Sequence, residues 1–192
     1  MRVWSKLKNR IVVGITGASG VILGIKLLKF LKKTGIETHL IITGVAKKII
    51  EHETDYSVKD VEKLADSVYD NKDLFAPIAS GSFKIKGMVV IPCSMKTLAG
   101  VANGYSDNLL LRVADVCLKE RRRMILVARE MPLSQIHVEN MERVSRAGGI
   151  ILPPVLTFYS KPKNINDMVN HVIGKVLDML DIENDVYKRW GK

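Results

Sequence analysis

The sequence Gly14-Ile-Thr-Gly17-Ala-Ser-Gly20 places three glycines at three-residue intervals directly after an apolar run. It is not the G-x-G-x-x-G dinucleotide fingerprint, because its first two glycines are three apart, and no Lys-Ser/Thr follows to make a P-loop. A glycine turn leading into a helix still offers free N–H groups and a favourable dipole to an anion. Thr16 and Ser19 add hydroxyl donors, and the alternative is a tight strand-to-helix turn that holds nothing. Pro92-Cys-Ser-Met-Lys-Thr97 sets Ser94, Met95, Lys96 and Thr97 at another helix start. There Ser94 alone would serve as an N-cap. Two such turns on one sheet edge point to a ligand that carries phosphate.

Cationic side chains complete this chemistry. Arg112 and Lys119 are seven residues apart on one helix, so they share a face about 10 Å apart along its axis. Arg129, beside Glu130, follows a buried strand and is expected to face the crevice beyond it. Arg121–Arg123 reads as a solvated basic face. Glu53, in His52-Glu-Thr-Asp55, supplies a carboxylate in a segment too polar for the core. Tyr159 and Lys175 are uninformative one at a time. None of the four histidines has metal-ligand spacing with another.

The elements that must position these groups alternate along the chain. Ile11–Val13 begins a strand, and Ile22, Ile25, Leu28 and Leu31 recur at helical spacing up to Gly35. Glu37–Ile42 reads as a strand, and Thr43 opens a helix. Across Asp55–Ser82, Val58, Val61, Ala65 and Val68 suggest a short helix followed by a loop. Strands over Met88–Pro92, Met124–Ala128 and Gly149–Leu152 alternate with helices over Ser94–Ala102, Asn108–Arg121 and Ser134–Ala147. The strongest signal is the apolar stripe from Ile165 to Leu180, with Asn164 as N-cap and Asp167 at N3. This alternation predicts a Rossmann-like three-layer α/β/α fold with a mostly parallel sheet. Ligands of such sheets bind beyond the carboxyl ends of the strands.

Composition sets the remaining bounds. The length suits a single domain over residues 1–192, with a core over 10–182 and a tail over 183–192. An excess of 30 Lys+Arg over 20 Asp+Glu gives a net charge of +10, which favours an anionic partner. Aromatics are 6% and scattered, which argues against a nucleic-acid surface. Cys93 and Cys117 read as buried free thiols. The longest uncharged stretch, Ile11–Ile25, is shorter than the ~20 residues of a membrane span. The basic run Met1–Arg10 is followed by no signal-type cleavage site, so a cytoplasmic location is expected.

Taken together these segments resemble the flavin prenyltransferases of the UbiX type, a flavoprotein family, from about Arg10 to Gly191. The resemblance is carried by Gly14–Gly20, Glu53-Thr-Asp55, Ala79-Ser-Gly-Ser82, Pro92–Leu98 and Arg112–Arg122, then by Arg129-Glu-Met-Pro-Leu133, His137–Met141, Phe158-Tyr159 and Arg189-Trp-Gly191. It implies FMN contacts at Gly17, Ala18, Ser19, Thr43, Ser94, Met95, Lys96, Thr97 and Arg129. It further implies Ser19 and Glu53 as polar groups near the reacting flavin edge. Lys119, Arg129, Tyr159 and Lys175 would hold the phosphate of dimethylallyl phosphate, with Arg112 and Glu130 completing the charged network. Two positions depart from many relatives: Lys175 stands where Arg is common, and Leu74 where some members place Trp.

The activity so implied is metal-independent transfer of the dimethylallyl group to N5 of reduced FMN, with ring closure onto C6. The prenylated FMN would pass to a UbiD-type decarboxylase, and the enzyme would be a homo-oligomer, a dodecamer by family resemblance, with sites shared between subunits. A decarboxylase acting directly on its substrate, or a simple FMN carrier, are the competing readings.

Overall fold

The computed structural model describes residues 9–191. Met1–Lys8 and Lys192 lie outside the described residues, and with them most of the basic opening run and the last residue of the expected tail. Six strands form one sheet: β1 (Arg10–Ile15), β2 (Glu37–Ile42), β3 (Ser67–Tyr69), β4 (Gly87–Cys93), β5 (Arg123–Ala128) and β6 (Ile150–Ile151). Their order is β3-β2-β1-β4-β5-β6, and every pair is parallel. The expected three-layer α/β/α fold is therefore the one observed, with an entirely parallel sheet.

Alternation within each strand builds the two apolar layers. Ile11, Val13 and Ile15 of β1, with Val89 and Ile91 of β4, face a core shared with α1 (Val21–Lys33) and α7 (Ile165–Met179). Ala46 and Ile50 of α2 (Gly44–Glu53) and Val61 of α3 (Val58–Glu62) join that layer. Val12, Met88 and Val90 face the other layer, made by α4 (Met95–Ala102), α5 (Leu109–Lys119) and Val144 of α6 (Gln135–Arg146). The stripe expected on α7 is buried at Val172, Ile173, Val176 and Leu177, and Asn164 accepts the Asp167 N–H as N-cap at 3.0 Å.

The segment Asp55–Ser82 departs from its sequence reading. The α-helix covers only Val58–Glu62, a single 3-10 turn follows at Pro77–Ala79, and Val68 lies in β3, an edge strand of three residues. Val68 is 43% exposed, so no buried alternation marks it as a strand. The expected solvated face at Arg121–Arg123 holds for the exposed Arg121 and is corrected for Arg122 and Arg123. Arg122 donates to the Phe83 carbonyl at 2.8 Å and to the Gly81 carbonyl, while Arg123 pairs with Asp181. These cations are structural ties at the amino edge of the sheet. Cys93 and Cys117 are both buried, and burial pushes the Cys117 thiol up to about 12.

Strand order reverses between β1 and β4, which leave the sheet side by side in opposite senses of winding. The helix after β1 packs close enough to β4 that a Cβ at Gly24 would stand 2.5 Å from the Ile91 carbonyl oxygen and 3.0 Å from the Ile15 side chain. Neither the strand backbone nor the buried Ile15 has room to yield. Gly24→Ala is therefore expected to lower stability by about 1–3 kcal/mol, read as a lower denaturation midpoint in urea.

Candidate active site

The crevice at the β1/β4 switch point is where a doubly wound sheet binds its ligand. A cavity of about 710 Å³ opens there, lined by Gly17, Thr43, Gly44, Val45, Lys48, Asn71, Ser94, Met95, Lys96, Thr97, Asn108, Leu110, Leu111 and Glu130. Three chain turns meet at its floor. Thr43 N–H donates to the Ile15 carbonyl at 3.0 Å, and its hydroxyl caps α2 by accepting the Ala46 N–H at 3.4 Å. Ser94 caps α4 by accepting the Thr97 N–H at 3.3 Å. Asn108 caps α5 by accepting the Leu111 N–H at 3.1 Å. Three helix starts thus face one space, an arrangement that favours an anionic ligand.

Thr16 joins two of these turns. It is fully buried; its hydroxyl donates to the Pro92 carbonyl at 2.8 Å and accepts the Ser94 N–H at 2.8 Å. Its own N–H also donates to Pro92 O at 3.2 Å. The expectation that Thr16 offers a free donor to a ligand is thereby corrected: both capacities of the hydroxyl are spent inside the protein.

The glycine turn likewise binds an anion, but one that belongs to the chain. Gly20 has φ +96°, a left-handed conformation that a Cβ disfavours, and as N-cap of α1 it has no side chain to satisfy the first turn. Glu53 fills that role from the far end of α2: its Oε2 accepts the Gly20 N–H at 2.9 Å. Partial desolvation works to raise the Glu53 pKa. The Ser19 hydroxyl, the Gly20 and Val21 N–H groups and the charge of Arg129 outweigh it, leaving the carboxyl below its ordinary value. Ser19, Glu53 and Arg129, three residues picked from sequence, are thus brought together, although none of the three is among the residues that line the cavity. Arg129 is held at the end of β5 by its N–H bond to the Cys93 carbonyl, 3.0 Å.

The other charged candidates lie apart from this group. α5 starts at the cavity with Asn108 and ends with Lys119 just before β5, whose first residue, Arg123, pairs with the first residue of β4, Gly87. Lys119 therefore sits at the amino edge of the sheet, where it pairs with Glu120 at 2.7 Å. Within one subunit it therefore does not join Arg129 at the carboxyl edge. Arg112, partway along, donates to the Ala79 carbonyl at 3.2 Å and pairs with Asp115 at 2.7 Å. Tyr159 packs against His171 and Trp190, and Lys175 lies 4.0 Å from Asp178 on α7. Neither Tyr159 nor Lys175 lines the cavity.

Sequence reasoning missed Lys48, Asn71 and Asn108 as lining residues. Lys48 follows Gly44 by four residues on α2, so helical periodicity puts both on one face. Asn71 Oδ1 accepts the Leu110 N–H at 3.0 Å, a long-range tie that no local pattern announces.

A nucleotide-sized crevice at the switch point, floored by helix starts, defines an α/β protein built for a phosphorylated ligand. A family model described as Flavoprotein matches residues 4–177. The flavin prenyltransferase UbiX of Methanocaldococcus jannaschii is 54% identical over 182 residues, covering 95% of this chain and 98% of its own. AnUbiX (PadA1), solved in complex with FMN and dimethylallyl pyrophosphate, superposes with a TM-score of 0.95 at 49% identity, over 96% of this chain and 98% of that one. A dodecameric FMN-dependent UbiX-like decarboxylase from Escherichia coli O157:H7 gives 0.93 at 49% identity, over 95% and 100%. The chain belongs to the flavoprotein family and, within it, to the UbiX-type flavin prenyltransferases.

The cavity fits the cofactor of that family. Its volume lies within the roughly 300–1,000 Å³ of small-molecule sites, and it offers hydroxyls at Thr43 and Ser94, apolar wall at Val45, Met95 and Leu110, and ammonium groups at Lys48 and Lys96.

Thr16→Val keeps the β-branched shape but strands the Ser94 N–H. The expected outcome is a loss of about 1–3 kcal/mol of stability, together with weaker FMN binding in a flavin-fluorescence titration; Thr16→Ser should restore both. A pH dependence follows from Glu53. Its folded pKa is depressed, so its bonds to Ser19 and Gly20 hold above the unfolded value near 4.5 and are lost as pH falls through the lower folded value. The Gly20 amide resonance should report that transition by NMR, and Glu53→Gln should abolish it.

Proposed function

We propose that the protein joins the dimethylallyl group of dimethylallyl phosphate to reduced FMN at N5 and C6, producing prenylated FMN. The observation that carries this reading is the Ser19–Glu53–Arg129 constellation, in a chain that also holds an FMN-sized cavity and is 54% identical to a flavin prenyltransferase. Gly17, Ala18, Thr43 and Ser94–Thr97 hold the cofactor, with Lys48 added from α2. Bound there, reduced FMN supplies the nucleophilic nitrogen and the ring carbon of the reaction.

The protein's own residues do the rest. An allylic phosphate leaves readily only where fixed cations stabilise the departing charge; Lys119, Arg129, Tyr159 and Lys175 serve this purpose, and Arg112 and Glu130 set the surrounding field. Orientation of the ester against the flavin edge supplies a further part of the acceleration. Glu53 enters the reaction ionised, because its pKa is depressed. It therefore acts first as a proton acceptor, kept in place by Ser19 and the start of α1.

Lys119, Tyr159 and Lys175 reach such a site only from other copies of the chain, so the working enzyme is a homo-oligomer with sites between subunits. The dodecameric relative supports that assembly. So do exposed apolar side chains such as Met131, 84% exposed, and Leu156, 67%, which a lone subunit would leave in water. Among the described residues no helix is long and apolar enough to cross a membrane. The reduced state of Cys93 and Cys117 suits the cytoplasm, and the product is delivered to a UbiD-type decarboxylase.

Anaerobic incubation with FMN, a reductant and dimethylallyl phosphate should yield a flavin heavier by the prenyl group in mass spectrometry. An unmodified flavin from protein with FMN correctly bound would reject the transferase and favour direct decarboxylation. Glu53→Gln should retain FMN while slowing turnover roughly 100-fold; unchanged kinetics would remove Glu53 from the reaction.

A further inference from the structure

The most densely bonded carboxylate among the described residues is Asp178, near the end of α7 and outside the cavity. Its oxygens accept from Tyr187 Oη at 2.6 Å, both terminal nitrogens of Arg189 at 2.7 and 2.9 Å, and Asn184 Nδ2 at 3.0 Å. The Arg189 guanidinium, despite partial desolvation, holds its pKa at about 2, helped by Tyr187 and Asn184. All three donors belong to the segment Asn184–Trp190, which is thereby tied back along α7.

A second feature of α7 accommodates the same segment. The Tyr187 ring lies in a notch at Gly174, where a Cβ would stand 2.0 Å from the ring. Glycine inside a helix costs about 1 kcal/mol relative to alanine, and close approach of this ring is what requires it. From the notch a chain of edge-to-face contacts runs outward. Tyr187 meets His171 at 4.8 Å, His171 meets Tyr159 at 5.6 Å, and Tyr159 meets Trp190 at 5.3 Å. Tyr159 stands in the exposed stretch between β6 and α7, and these two ring contacts are what orient it. Lys175, 4.0 Å from Asp178 Oδ2, is placed by the same carboxylate.

A purely structural clasp explains Tyr187 and Arg189, but it gives no role to Trp190. That ring is 79% exposed, so its burial contributes little, while among the described residues its ring partner is Tyr159. We propose that the segment Asn184–Trp190, tied by Asp178 and seated in the Gly174 notch, is a positioning element for Tyr159 and Lys175 that sets affinity for the prenyl phosphate independently of FMN. The inference rests on the proposed prenyl transfer. Trp190, Asp178 and Gly174 act through Tyr159 and Lys175 and touch neither reactant.

The test uses the full chain loaded with FMN. Binding of dimethylallyl phosphate is measured by calorimetry, and KM and kcat by flavin mass, for Trp190→Ala, Asp178→Asn and Gly174→Ala. Each variant should raise the ester's Kd and KM several-fold to about 10-fold, the scale of one or two aromatic contacts, with FMN affinity and kcat within about twofold. In a Tyr159→Ala background, Trp190→Ala should add nothing. Unchanged Kd in Trp190→Ala, a fully additive double variant, or a parallel loss of FMN affinity would overturn the inference. Should Asp178→Asn or Gly174→Ala fail to fold, Trp190→Ala decides alone, since its ring is mostly in solvent. A wild type that binds the ester without transferring it would reject the proposed function yet leave the positioning role to be judged by Kd. One that does not bind the ester overturns both.

Discussion

Where β1 and β4 leave the sheet together, each loses its ladder partners at the point where the chain must also open a crevice. Backbone groups buried at such a place need replacement partners or they cost about 1–3 kcal/mol each. The Thr16 hydroxyl provides both kinds at once, as donor to Pro92 and acceptor for Ser94. With that bond made, the exit of β1 and the exit of β4 form one rigid edge. The glycine turn that leads into α1 and the Ser94–Thr97 turn that leads into α4 then hold fixed positions relative to each other. The cavity lining at Gly17 and at Ser94–Thr97 is referred to this pair of turns.

The start of α1 shows how one structural need doubles as chemistry. A helix that begins with a left-handed glycine has free N–H groups and no cap of its own. Answering them with the Glu53 carboxylate stabilises the helix start and fixes the carboxylate at the same time. Its position, its ionisation and its contact with Ser19 follow from one set of bonds. Because Glu53 arrives from the end of α2, whose beginning lines the cavity at Thr43 and Gly44, displacement of that helix would disturb the cofactor wall and the carboxylate together.

Much of this was legible in the sequence. The α7 stripe, the N-caps at Ser94 and Asn164, and the alternation of strands and helices are local patterns, and local patterns survive into the fold. Ser19, Glu53 and Arg129 were also named from sequence, though the reason they meet is not local. Glu53 is 33 residues from Gly20 along the chain, and no periodicity spans such a distance. The β3 strand was missed because an edge strand of three residues with an exposed Val68 has no buried face to betray it. Thr16 was misread because a hydroxyl beside a glycine turn looks identical whether it faces a ligand or a neighbouring strand. Only the position of β4 decides between them. Lys119 was placed by its distance from Arg112 along one helix, but a helix that begins at the cavity carries its last turn to the opposite edge of the sheet.

That last geometry bears on how the charges are organised. Lys48 and Lys96 line the cavity, whereas Lys119 and Arg112 each pair with an acid of their own chain. Cations that wait for a substrate at some distance from their point of use would repel one another and attract stray anions. A resident carboxylate within reach neutralises them until a stronger anion arrives. In the proposed transfer a phosphate, which carries more charge than the carboxylate of Glu120 or Asp115, competes for these donors without the protein having to create new ones. The net charge of +10 then has a local meaning. Lysines line the cofactor cavity, and the paired cations lie along α5, which starts there and runs away from it.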